Sequence, residues 1–138
     1  MGLIMGNPSD EPRPLVMIVD DEPDLLRLIE ICLKAQPLQV EAFIEGKALL
    51  ERLTRFPKPQ MVILDVMMPV LSGYEVCRAL RGIPGCEAIP VVFLTAKTQA
   101  RDYVLGLESG GNFYIEKPFD VDKIGQKVLG FLTTGKRD

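Results

Sequence analysis

Met61-Val62-Ile63-Leu64-Asp65-Val66-Met67-Met68-Pro69 is an apolar run that meets one carboxylate and then turns at a proline. Its lack of polar alternation suits a strand buried on both faces, as strands of parallel sheets are. The same device recurs on either side. Upstream, Leu15-Val16-Met17-Ile18-Val19 runs into Asp20-Asp21-Glu22. Downstream, Pro90-Val91-Val92-Phe93-Leu94 runs into Thr95-Ala96, and Asn112-Phe113-Tyr114-Ile115 runs into Glu116-Lys117-Pro118. These runs are short for helices and rich in β-branched or aromatic residues. Polar groups at the carboxyl ends of parallel strands collect at one edge of the sheet, where open α/β sheets bind ligands. Three carboxylates, a hydroxyl and an ammonium in one crevice make a site for a divalent cation and a phosphate.

Between the runs the apolar spacing turns helical. Asp24 is placed to cap a first helix whose apolar face is Leu25, Leu28, Ile29 and Cys32, and Pro37 stops it. Gln39–Phe43 is a second, less apolar strand suited to a sheet edge. Further helices are expected over Lys47–Arg55, Gly73–Arg81, Gln99–Ser109 and Val121–Leu132, the last with Val121, Ile124, Val128, Leu129 and Leu132 inward. The strands are expected at Leu15–Val19, Gln39–Phe43, Met61–Leu64, Pro90–Leu94 and Asn112–Ile115. Such alternation with short loops requires parallel pairing and right-handed crossovers. Residues 1–14 read as a flexible lead, 15–133 as the domain, and 134–138 as a polar tail or the start of a linker.

At 138 residues the chain is one ordinary domain, and 47% hydrophobic with 25% charged residues excludes a disordered one. A formal net charge of −3 argues against sequence-independent nucleic-acid binding, which needs a basic face. No stretch reaches membrane-spanning length, and the first residues lack the pattern of a secretory signal. Cys32, Cys77 and Cys86 are odd in number and lack metal-ligand spacing, so reduced thiols and a cytoplasmic location are expected. The chain has no histidine, which excludes a phosphohistidine kinase or a histidine phosphotransfer module.

Asp20, Asp21 and Asp65 would repel one another and raise one another's pKa unless a cation sits between them. Mg²⁺, a hard cation preferring oxygen ligands, is the natural answer, with Mn²⁺ as a substitute. Taken together and in order, these residues resemble the receiver domain of two-component response regulators. Asp65-Val66-Met67-Met68-Pro69-Val70-Leu71-Ser72-Gly73 is similar to that family's phosphoacceptor loop, and Thr95-Ala96 and Lys117-Pro118-Phe119 match at the expected distances. The resemblance covers about Leu15 to Leu132.

It implies a flavodoxin-like five-stranded parallel sheet in the order 2-1-3-4-5, with helices on both faces. It implies Mg²⁺ on Asp20, Asp21, Asp65 and the backbone carbonyl of Met67, with Asp20 ligating directly or through water. Asp65 would be the phosphoacceptor, taking a phosphoryl group from a phosphohistidine donor, with Thr95 and Lys117 on the phosphate oxygens. The Lys117–Pro118 bond would be cis. Thr95 and Tyr114 would form the switch: phosphate draws the hydroxyl, and the aromatic ring turns into the space released. Met67 and Lys97 flank the phosphate's open side and would make self-dephosphorylation slow. The implied partners are a sensor histidine kinase or histidine phosphotransfer protein, a second copy through the surface of the fourth helix, fifth strand and fifth helix, and a downstream protein or effector domain. No nucleic acid, membrane or external turnover substrate is implied. Leu25, Leu26 and Ile29 on the first helix would meet the kinase.

One segment departs from the family. Gly110-Gly111-Asn112-Phe113 stands where Gly-Ala-Asp-Asp is commoner, which would loosen the start of the fifth strand and leave Phe113 either on a partner surface or in the core. Three other readings are open. A metal-dependent aspartyl-phosphate hydrolase would need an acid at Met67; a flavodoxin-type electron carrier would not place Asp20-Asp21-Glu22 against a phosphate. A pseudo-receiver that binds partners without phosphorylation would have to retain the whole site unused. The chain is either a stand-alone regulator or a receiver from a longer one.

Overall fold

A computed structural model describes residues 12–96 and 100–134, the first four of the latter stretch by backbone alone. Five strands alternate with five helices: β1 (Leu15–Val19), α1 (Pro23–Lys34), β2 (Gln39–Phe43), α2 (Gly46–Arg52), β3 (Met61–Asp65), α3 (Gly73–Arg81), β4 (Val91–Thr95), α4 (Ala100–Ser109), β5 (Phe113–Glu116) and α5 (Val121–Thr134). The sheet is parallel throughout, in the order β2-β1-β3-β4-β5. β2 is an edge, as its polar composition requires.

The pleat divides the strand residues between two cores. Met17, Val19, Val62, Leu64, Val91 and Phe93 face α2 and α3, meeting Leu49, Leu53, Val76, Cys77 and Leu80. Val16, Ile18, Ile63, Val92, Leu94 and Ile115 face α1 and α5, meeting Leu26, Ile29, Leu33, Ile124 and Val128. β1, β3 and β4 are buried at every position, which accounts for their unbroken apolar sequence.

Three expectations shift. Asp24 is not the cap of α1: Pro23 takes the first helical position, so Asp24 falls inside the first turn and Glu22 precedes the helix without a side-chain cap bond. The buried side of α1 is Leu26, Ile29 and Leu33, with Leu28 and Ile31 exposed, because Ile31 lies within the polar stripe of Asp24, Arg27, Glu30 and Lys34 and Leu28 lies beside it. α2 ends at Arg52, whose guanidinium turns back to Glu41 at 2.8 Å and to the Pro57 carbonyl at 2.9 Å. In the lead, the carbonyls of Arg13 and Pro14 accept hydrogen bonds from Gln39, while residues 1–11 and the tail beyond 134 lie outside the described residues.

The departure at 110–113 is pinned rather than loose. Gly110 has φ +96°, a conformation L side chains avoid. A Cβ at Gly111 would lie 2.1 Å from the Phe93 ring. The Asn112 side-chain oxygen accepts from the Val91 amide at 2.8 Å and from Arg81 at 3.1 Å. Arg81 also donates to the carbonyls of Cys86, Ile89 and Gly110. Hydrogen bonds to a charged donor contribute about 1.5–3 kcal/mol, well above the ~0.5 kcal/mol of an exposed pair such as Lys34–Glu30. Phe113 stacks on Phe131 of α5, ring centroids 4.2 Å apart, and packs half-buried against the α1/α5 core.

Candidate functional site

The carboxyl ends of β1, β3 and β4 stand side by side. Val19 is in register with Leu64, and Asp65 with Leu94. Asp20 therefore follows β1 directly beside Asp65, and its Oδ1 accepts the Glu22 amide at 2.9 Å, closing the turn into α1. After Asp65 the chain reverses tightly: the Leu71 amide donates to the Pro69 carbonyl at 2.8 Å and the Gly73 amide to the Val66 carbonyl at 2.9 Å. A Cβ on Gly73 would lie 2.5 Å from the Asp65 carbonyl oxygen, so only glycine lets α3 start this close to Asp65. Ser72 and Glu75 form a reciprocal capping box that fixes that start. Val70, at the tip of the loop, is 99% exposed with φ 69°.

One ligand oxygen from each of Asp20, Asp21 and Asp65 falls within a 4.8 Å cluster. Asp20 and Asp65 are buried, and Asp21 is the more open. Lys117 reaches in from the end of β5, 3.1 Å from Asp65 Oδ1, 3.6 Å from Asp20 Oδ2 and 4.0 Å from Glu22. One ammonium thus faces three carboxylates. Burial, then the Asp20 charge, pushes the Asp65 carboxyl up to about 6, against the pull of Lys117. Asp20 is raised too, chiefly by burial. Burial works to lower Lys117, but its hydrogen bond to Asp65 and the surrounding acids outweigh that and raise it.

Asp20 Oδ2 is the buried side-chain oxygen that has no hydrogen-bond partner among the described residues. A buried, unsatisfied carboxylate oxygen is costly and calls for a donor or a cation. With two further carboxylates alongside, the donor set is all hard oxygen, which fits a divalent cation such as Mg²⁺.

The other expected residues surround this cluster. Thr95 ends β4, buried, and its carbonyl accepts the Lys117 amide at 2.7 Å. The Lys117–Pro118 bond is cis. The Met67 side chain is 75% exposed at the rim, while Lys97 lies outside the described residues. Tyr114 is half-buried on β5, its ring 5.4 Å from that of Phe93. Two further features depend on the fold rather than on any local sequence signal. Glu22 was visible in the acidic run, but only the fold brings it to Lys117. Arg81 carries no local signal of its role.

These strand ends can be set beside known proteins. The profile of the response regulator receiver domain matches residues 16–129. The chain belongs to that family. The receiver domain is 37% identical over 123 residues to the DNA-binding response regulator MtrA of Mycolicibacterium smegmatis, a match covering 89% of this chain and 52% of the relative. It thus spans about half the length of that curated relative. Among solved structures it is 32% identical, with a TM-score of 0.77, to the signal receiver domain of a signal transduction histidine kinase from Syntrophus aciditrophicus, covering 91% of this chain and 94% of that one. It shares its fold with the receiver domain of the sensor histidine kinase PA1611 of Pseudomonas aeruginosa, at 24% identity and a TM-score of 0.77, covering 88% and 99% of the chains. That PA1611 structure carries a magnesium ion in its active site cleft. Receiver domains are signalling modules of two-component systems, and this one carries their acidic cluster. Among the described residues, no helix is long and apolar enough to cross a membrane.

Proposed function

We propose that this receiver domain accepts a phosphoryl group on Asp65 from a phosphohistidine donor. The observation that carries the reading is the orphaned Asp20 Oδ2 beside Asp65 and Lys117. Asp20, Asp21, Asp65 and the Met67 backbone carbonyl would hold Mg²⁺, or Mn²⁺ in its place. When bound, that ion neutralises the carboxylates and the incoming phosphate oxygens. The ionised Asp65 carboxylate attacks phosphorus, the donor's P–N bond breaks, and the imidazole leaves with its electron pair and takes up a proton. Lys117 is close enough to Asp65 to follow the charge onto the phosphate, and Thr95 supplies a hydroxyl donor from the next strand end. Thr95 and Tyr114 then carry the state of the site to the face of α4, β5 and α5.

A partner on that face is supported by the inverted burial of α4, which covers Gly106 and Ser109 and exposes Val104, Leu105 and Leu107. The partner is a second copy, a downstream protein or an effector domain; the domain itself binds neither nucleic acid nor membrane. The donor is a sensor histidine kinase or phosphotransfer protein, with the protein working in the cytoplasm, where its free thiols stay reduced. Its contact on α1 moves from the expected Leu26 and Ile29, which are buried, to Leu28, Ile31 and the half-buried Leu25.

Intact mass after incubation with Mg²⁺ and acetyl phosphate tests the acceptor. One added phosphate is expected on wild type and none on Asp65→Asn; phosphate on both, or on neither although Mg²⁺ binds, sinks the assignment. The domain turns over no external substrate and loses its phosphate slowly, because Met67 at the rim offers water no polar group, and Lys97 is expected to act with it. Met67→Asn should shorten the phosphate lifetime on the order of 10-fold to 100-fold, the usual yield of orienting a water. An unchanged lifetime would remove Met67 from the explanation.

A further inference from the structure

Gly106 lies inside α4 and is buried. A Cβ there would fall 1.7 Å from the Tyr114 hydroxyl oxygen, 2.6 Å from its Cζ and 3.1 Å from its Cε2. All three nearest atoms belong to one side chain. The Tyr114 ring continues an aromatic row, 5.4 Å from Phe93, which is itself 4.9 Å from Tyr74 of α3. Around the notch the backbone is already committed: the Gly106 carbonyl accepts the Gly111 amide at 2.8 Å and the Ser109 hydroxyl at 2.7 Å. Glycine in a helix interior is unfavourable relative to alanine, so an interior glycine with no packing role would be a pure loss. Here the missing methyl is filled by the tip of Tyr114.

We propose that Gly106 is the receptacle that seats Tyr114 against α4, and that this one notch sets which way the switch ring rests before any phosphate arrives. The proposal builds on the reading of Tyr114 as the switch and adds the residue that positions it. Gly106 occupies the inner side of the same helical turn whose outer side shows Val104, Leu105 and Leu107, so seating the ring fixes how that outer face is held. A side chain at 106 cannot share the notch with the phenol. Because the obstructing atoms are the free end of a side chain, the ring, not the helix, is the part that yields.

A double-mutant cycle in the unphosphorylated protein tests this, combined with fluorotyrosine at position 114 read by fluorine NMR. With Tyr114 replaced by alanine, Gly106→Ala should raise the folding equilibrium constant about 5-fold, the ordinary gain of an interior helical Gly→Ala change. With Tyr114 present that gain should vanish or reverse, and the fluorine resonance should move towards its solvent-exposed value. An equal gain in both backgrounds, or an unmoved resonance, overturns the proposal. Should Gly106→Ala alone fail to fold, folding of the Tyr114→Ala double variant supports the proposal and failure of both overturns it. None of these readouts uses phosphate. Failure of Asp65 to accept phosphate would therefore be told apart from failure of the notch.

Discussion

Lys117→Met will take up phosphate from acetyl phosphate about 100-fold more slowly than wild type, the loss expected when a fixed donor is removed from developing oxyanion charge. Methionine keeps most of the length of the stem and removes the ammonium, so the packing beside Pro118 changes little. The ammonium sits 3.1 Å from Asp65 and 3.6 Å from Asp20, in direct reach of both. Its removal also strips the buried acids of their countercharge. Leaving buried charges uncompensated costs about 3–5 kcal/mol, so the metal-free variant should unfold much more easily at pH 8. Acidification to pH 5, or Mg²⁺, should return most of that loss. A near-normal phosphorylation rate in a variant that shows the stability loss would make Lys117 a countercharge only. A normal rate and a normal stability together would remove it from the site.

The second large effect is a metal-free protein that grows more stable as pH falls from 8 to 5. Asp65 is raised from 3.8 to about 6 in the folded state, so between those values the folded chain holds a proton that the unfolded chain has released. Stability is therefore greatest at the acid end of that window, falls as pH rises through it, and is fully lost above about 6. At about 1.4 kcal/mol per pH unit, the single unit between about 6 and 5 contributes about 1.4 kcal/mol, or about 4 °C in Tm for a domain of this size. Asp20, also raised, acts in the same direction. Lys117 is raised above its usual range and stays protonated on both sides of the window. Asp65→Asn should flatten the slope and stabilise the metal-free protein at pH 8. Mg²⁺ should stabilise wild type more at pH 8 than at pH 5, because it must displace the proton to bind. A flat or rising metal-free curve between pH 5 and 8 would contradict the raised carboxyl.

The site was legible in the sequence because each of its strands is an apolar run that ends abruptly in polarity. Val19 to Asp20, Leu64 to Asp65 and Leu94 to Thr95 are such steps, and parallel register puts them together. Two-sided burial made the central strands unmistakable for the same reason. Helix faces were less legible. α1 carries apolar residues at eight of its twelve positions, counting Pro23 and Cys32, so its apolar arc is wider than the side that meets the sheet. Long-range polar contacts were not legible at all. Arg81 looks like any surface arginine at a helix end, and its partners come from the stretch 86–112, brought near only by β4. Phe113 stayed ambiguous in the sequence because its partner, Phe131, is on another element.

The Arg81 hub has a mechanical corollary. It joins the end of α3, the loop before β4 and the turn before β5 through one guanidinium, so the amino end of β5 is clamped to the frame. The carboxyl end of β5, just beyond which Lys117 meets Asp65, is the end that the proposed phosphorylation would pull on. A strand fixed at one tip and loaded at the other works as a cantilever. In the proposed reading its deflection would be greatest beside the phosphate and would fade towards Gly110, leaving Tyr114, between the two, as the point where a small tug would become a sideways turn against α4.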